Sequence, residues 1–181
     1  DDSLSPMAVQ VTSQDGNDER ATPKRLIRAL HNGLPNNVFD LDPCSGAEPD
    51  HFTIAEKAYT KEDDGLSQPW FGHVYCNPPY SDLDNWLQYI NTQMRRENGP
   101  TSVTCLLPAN TSTQWFQQYA AGGEAEIFCL IEGRLDFQGT EHSAPFASIL
   151  VIFGDVPLEY LEQVESLGTL LTKVEANDAH I

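Results

Sequence analysis

Cations are scarce: Lys and Arg together number 10 against 27 Asp and Glu, a formal net charge of −17 with a pI near 4.3. At ordinary ionic strength such a surface repels polyanions and anionic membranes, which argues against a protein that grips nucleic acid with a broad basic face. Molar salt reverses that argument. There the Debye length falls to about 3 Å, so long-range repulsion disappears while carboxylates stay solvated. The acid is spread along the chain and arginine outnumbers lysine, which points to a halophilic host rather than to an acidic tail or a partner-binding patch. Long apolar runs are also missing: none approaches the roughly 18–20 residues of a membrane span. No basic n-region followed by an apolar h-region opens the chain, so secretion is not expected. Paired cysteines are absent too. Cys44, Cys76, Cys105 and Cys129 stand singly in or beside apolar segments, without the C-x-x-C or His spacing of a zinc site. His73 and His142 lack metal-like partners as well. Reduced, mostly buried thiols in a cytoplasm are the expectation, and no metal.

What remains, 181 residues with 40% apolar content, suffices for one core. Residues 1–20 are polar and aperiodic and read as a flexible arm, leaving a single domain over 21–181. "ATPKRLIRAL" offers Thr22 as a helix N-cap and Pro23 at the first helical position, with Leu26, Ile27 and Leu30 on one face. "VFDLD" reads as a buried strand closing at Asp42, followed by the tight turn Pro43-Cys44-Ser45-Gly46. "HVYC" is a second strand, ending at Asn77. A Ser81-capped helix then places Leu83, Trp86, Leu87 and Ile90 in one stripe. "SVTCLLP", "EIFCLIE" and "FASILVIFG" are further strands, with a "STQWFQQYA" helix after the first. A closing helix over about 157–171 carries Leu158, Leu161 and Val164. Trp115, Phe116 and Tyr119 suit the core better than a ligand face. Alternating strands and helices predict an α/β fold with a doubly wound, mostly parallel sheet, whose ligands bind beyond the carboxyl ends of the strands, where Asp42 and Asn77 stand.

The stretch "VYCNPPY" is the sharpest local signal. Two consecutive prolines lack backbone N–H groups, fix their own φ and push the preceding residue toward extended geometry. A strand ending this way displays carbonyl acceptors on a stiff loop, with the ring of Tyr80 behind them. The order of a T-P helix, a D-P-x-x-G turn and N-P-P-Y resembles the gamma arrangement of adenine methyltransferases that use S-adenosylmethionine. Together with "YTKEDDGLSQPW", "LLPANTSTQWF" and "EGRLDF", it resembles the phage-type DNA N-6-adenine methyltransferase (Dam) family over roughly residues 20–154.

That resemblance implies a Rossmann-like methyltransferase fold, S-adenosylmethionine as methyl donor, DNA as substrate and direct methyl transfer without a metal; with the acidic charge it leads to the expectation of a cytoplasmic protein of a halophilic archaeon or its virus. In that setting the Asn77 side-chain oxygen and the Pro78 carbonyl each accept one N–H of an adenine amine, favouring the tetrahedral nitrogen of the transition state. Pro79 stiffens the loop and Tyr80 stacks on the flipped base. On the cofactor side the resemblance points to Thr22 and Pro23, to the Asp42, Pro43, Cys44 and Gly46 turn, to Glu56 for the ribose hydroxyls and to Asp64 for the cofactor adenine. Thr22-Pro23 also reads as a plain helix start, and Glu56 and Asp64 as ordinary solvated acids. Arg134 suits either a DNA phosphate contact or a structural ion pair. N-P-P-Y is shared with RNA guanine and protein glutamine methyltransferases, so an RNA or glutamine-amide acceptor stays open, as does a binding module without turnover.

The chain departs from larger relatives in one respect. Asp42 and Asn77 are 35 positions apart, too few for three full βα units at a dozen or more residues per crossover. A trimmed sheet is expected. No segment has the size of a target-recognition domain, so specificity should be loose or come from short loops such as 134–146.

Overall fold

A computed structural model describes residues 21–46, 53–137 and 142–178; the expected N-terminal arm and part of the 134–146 loop lie outside them. Seven strands form one sheet in the order β2-β1-β3-β4-β6-β5-β7: β1 (Phe39–Asp42), β2 (Ala55–Ala58), β3 (His73–Cys76), β4 (Ser102–Pro108), β5 (Ala125–Ile131), β6 (Ser148–Gly154) and β7 (Gly168–Thr172). The pairs β1–β2, β1–β3 and β3–β4 are parallel. β6 then runs antiparallel to both β4 and β5, and β7 antiparallel to β5. Strands β1 to β5 therefore point one way and β6 and β7 the other, so the expectation of a mostly parallel sheet holds on the β2-β1-β3-β4 side and gives way to antiparallel pairing beyond β4.

Helices cover both faces. In β3, Val74 and Cys76 join the cluster under α2 (Leu83–Arg95), while Tyr75 points into the opposite cluster with α1 (Lys24–Asn32) and α3 (Leu158–Glu165). β4 and β6 are buried along almost their whole length on both faces, which explains why they read as unbroken apolar runs rather than as alternating ones. Phe116 is buried and Trp115 and Tyr119 pack against the α2-side cluster, the core role expected of them. Their segment is a π-helical turn, Phe116–Ala121.

Several local expectations are corrected. α1 begins at Lys24 with Pro23 as N-cap residue and no side-chain cap. Thr22 does not cap it, because its hydroxyl is spent on Tyr75. Ser81 is not the cap of α2. Tyr80–Asp82 forms a 3-10 turn and Asp82 takes the N-cap position, since the Asp82 N–H closes on the Pro79 carbonyl at 3.1 Å. The closing helix stops at Glu165, and Gly168–Thr172 is β7. Gly168 lies so close to β5 that a Cβ there would sit 1.9 Å from the Leu130 oxygen, and sheet pairing overrides the helical pattern. Leu158 is accordingly 69% exposed, and Tyr160 and Val164 carry the buried face of α3.

Candidate active site at the carboxyl edge of the sheet

β1 and β3 are neighbours, with Leu41 opposite Val74, so the loops after Asp42 and Cys76 emerge side by side. The stretch between Asp42 and Asn77 holds, among the described residues, the strands β2 and β3 and one 3-10 turn, Gly65–Ser67, but no α-helix. β1 and β3 being parallel, the two loops sit at one edge of the sheet.

The acceptor loop is tied down from beneath. Asn77 is half-buried and Pro78 buried. The Asn77 amide donates through Nδ2 to Thr22 Oγ1 at 3.2 Å, and Thr22 Oγ1 lies 2.6 Å from the Tyr75 hydroxyl. Tyr75 is 1% exposed, and burial pushes its phenol well above the ordinary range, with the Thr22 hydrogen bond pulling the other way and nearby Asp42 adding to the rise. A buried phenol needs a partner for its proton. Tyr75 therefore donates to Thr22, whose remaining acceptor site takes the Asn77 N–H. With Nδ2 turned to Thr22, the acceptor atom Oδ1, at the other corner of the planar amide, points away from it. The Tyr80 ring stands edge-on to Phe146, centroids 5.5 Å apart, and Phe146 lies 6.2 Å from Phe137.

The second loop is compact. Asp42 is 4% exposed and its Oδ1 accepts the Cys44 N–H at 3.1 Å, an Asx-type turn. The Tyr59 N–H donates to the Asp42 carbonyl at 2.9 Å and the Ser45 N–H to the Tyr59 carbonyl at 3.0 Å, pinning the turn to the end of β2. Pro43 is buried, and Cys44 and Gly46 half-buried. Gly65 packs on this turn so tightly that a Cβ would sit 2.1 Å from the Pro43 oxygen. Asp64, just before it, has φ of 55° and accepts the Leu66 N–H at 3.3 Å, which brings an exposed carboxylate beside the Asp42 turn.

Not every candidate converges here. Glu56 is exposed, the second residue of β2, while Ala58 is the β2 residue opposite Asp42. Arg134 is exposed just beyond β5 and makes no ion pair among the described residues. Thr22 and Pro23, by contrast, are buried, and Thr22 touches Asn77 of the acceptor loop. Tyr75 escaped the sequence reading. The period-2 alternation of "HVYC" could have found it, since that pattern turns Tyr75 away from Val74 and Cys76, toward the α1 side. Phe146 had no comparable signal. Among the described residues no group of three or more His, Cys, Asp or Glu is placed to hold a metal ion, and no helix is long and apolar enough to cross a membrane.

Comparison with known proteins gives two matches. The sequence model of the family described as DNA N-6-adenine-methyltransferase (Dam) matches residues 10–166. A DNA N-6-adenine-methyltransferase of Escherichia phage T1 is 34% identical over 128 residues, which is 68% of this chain and 49% of that protein. The chain thus spans about half the length of this relative.

Proposed function

Because the chain belongs to the DNA N-6-adenine-methyltransferase (Dam) family, we propose that it transfers a methyl group from S-adenosylmethionine to the N6 amine of adenine in DNA, on a trimmed Rossmann-like methyltransferase domain over residues 21–181 preceded by a short arm. The observation that carries this reading is the contact from Thr22 to Asn77, which joins the T-P segment to the N-P-P-Y loop beside the Asp42 turn.

The residues present suit the donor. Its methionine part bears a sulfonium and an ammonium, and the buried Asp42 carboxylate in a turn of small residues offers a group of opposite charge. Asp42, Pro43, Cys44 and Gly46 would hold that part, Pro23 and Thr22 would border it, Asp64 would reach the cofactor adenine, and Glu56 the ribose from a more outlying position. When bound, S-adenosylmethionine supplies an electrophilic methyl group. The chain's own task is to make a conjugated amine nucleophilic. Asn77 Oδ1 and the Pro78 carbonyl each accept one N–H, which draws the nitrogen lone pair out of the ring as the amine becomes tetrahedral. Pro79 closes the following turn, and Tyr80 receives the base face, recovering part of the few kcal/mol that extrusion from the duplex costs.

Incubation of the protein with labelled cofactor and unmethylated duplex DNA, followed by digestion to nucleosides, tests the reading. N6-methyl-2′-deoxyadenosine is the expected product, with no label in RNA or protein offered in parallel; label confined to another acceptor overturns it. Asp42→Ala should weaken cofactor binding about tenfold or more in calorimetry, and unchanged affinity would move the cofactor elsewhere. Cysteine labelling gives an independent check. Cys76, Cys105 and Cys129 are buried and Cys44 is half-buried; burial pushes the Cys76 thiol well up and that of Cys129 up to about 11. Alkylation of the native protein at pH 8 should reach Cys44 first, and saturating cofactor should slow it; labelling indifferent to cofactor counts against Cys44 in that site. The carboxylate-rich surface, in the same proposal, fits the protein to molar salt.

A further inference from the structure

Helix α1 opens on Lys24 and Arg25, carries Arg28 one turn on, and has no acidic residue in its first turn. That placement runs against helix electrostatics. The free N–H groups of a helix start make it positive, and Asp or Glu is favoured there. In a chain with 27 acids and 10 cations, carboxylates at these positions would have served the fold better. Lys24 and Arg28 have interaction partners within the protein, as do other cations of the described residues, so it is place in the fold that distinguishes the cluster. Arg95 pairs with Glu124 at 2.8 Å, Arg96 donates to Gln93, Lys173 donates to the carbonyls of Ala121 and Gly123 at 3.0 and 2.7 Å, and Lys57 lies over the Tyr59 ring.

The position of the cluster indicates its use. Leu26, Ile27 and Leu30 face the core, so Arg25 and Arg28, both exposed and spaced i,i+3, share the outer face. Pro23 precedes the helix, and Thr22 before it touches Asn77; the cations thus begin two residues from a side chain bound to the acceptor loop. Arg134 follows β5, which points the same way as β3, and stands at the same edge of the sheet.

We propose that Lys24, Arg25, Arg28 and Arg134 form the phosphate-contacting ridge for duplex DNA, flanking the acceptor loop on an otherwise acidic protein. The inference rests on the DNA reading above and names the surface that the substrate occupies. Arginine suits this place because its planar fork meets phosphate oxygens in pairs. At low salt the many carboxylates of the chain repel the polyanion, so a small ridge determines how the duplex approaches.

The test is fluorescence anisotropy of a labelled duplex across a salt series, with the wild type, the double variant Arg25→Gln/Arg28→Gln, and Arg95→Gln as a control. Arg95 ends α2, just before β4 begins at the opposite edge of the sheet. The double variant should bind DNA tenfold or more weakly at the lowest salt. Its slope of log affinity against log salt should be shallower by about 2, since each phosphate contact contributes roughly 0.9. KM for DNA should rise while kcat at saturating DNA and the cofactor affinity stay within about threefold; Arg95→Gln should leave slope and KM unchanged. A double variant with wild-type slope and affinity, while the wild type binds and methylates DNA, overturns the ridge alone. A wild type that neither binds DNA nor yields N6-methyl-2′-deoxyadenosine overturns the DNA reading and the ridge with it.

Discussion

Replacing Asn77 by Ala should cut methyl transfer to DNA by about 10²–10³, while affinity for S-adenosylmethionine stays within about tenfold. Removing one aligned acceptor at a site of developing charge typically costs about 3–4 kcal/mol in the barrier. The loss belongs in kcat because the hydrogen bond strengthens only as the amine becomes tetrahedral. Cofactor affinity should persist because Asn77 stands on the acceptor loop, whereas the Asp42 turn is the proposed donor site. The Thr22 and Tyr75 hydroxyls grade the same effect. Tyr75→Phe or Thr22→Val loosens the amide without deleting it, so a smaller fall, about tenfold in kcat, is expected, with Thr22→Ser restoring most of the rate. Near-normal turnover by Asn77→Ala would remove Asn77 from the chemistry. A dead Asn77→Ala beside a fully active Thr22→Val would keep Asn77 and discard its support.

How far the fold was legible depended on where packing alone decided the outcome. β3, β4 and β6 read directly because their apolar runs are buried on two faces, and α2 because Leu83, Trp86, Leu87 and Ile90 all meet the sheet. β2 did not read. "AEKA" has no strand preference, three of its four residues are exposed, and it exists through pairing with β1 at the edge, a relation no local pattern announces. β7 hid inside an apparent helix for a related reason: Leu158, Leu161 and Val164 supply a helical period, whereas Gly168 and the β5 backbone decide where it stops. In the candidate site, the places of Asn77, Pro78 and Asp42 were legible because polar residues and prolines close apolar strands there. Tyr75 was not, because its importance lies in a hydroxyl reaching a residue 53 positions away. Thr22 was assigned a capping role by local grammar and takes a tertiary one instead.

Activity and melting temperature should rise together as KCl is raised from about 0.2 to 2 M. The charge of −17 on 181 residues means that in dilute buffer carboxylates repel one another and the DNA, loosening the fold and slowing encounter. Arg95–Glu124 relieves little of this, being an exposed pair, the kind worth little and screened by salt. At about 2 M the screening length is only a few ångströms. Dispersed repulsion is thereby removed, while the buried hydrogen bonds of Thr22, Tyr75 and Asn77 are untouched. Apolar burial is untouched as well. Counterion release from DNA opposes the gain, yet a ridge of four cations gives a slope of only about −3.6, against which removal of whole-surface repulsion competes. A methylation assay and a thermal melt on one preparation over that range decide the matter. If melting temperature climbs while activity falls with the slope of four phosphate contacts, the acidity stabilises the fold in salt without serving DNA encounter. If both peak below about 0.2 M and decline thereafter, the carboxylates answer to something other than salt.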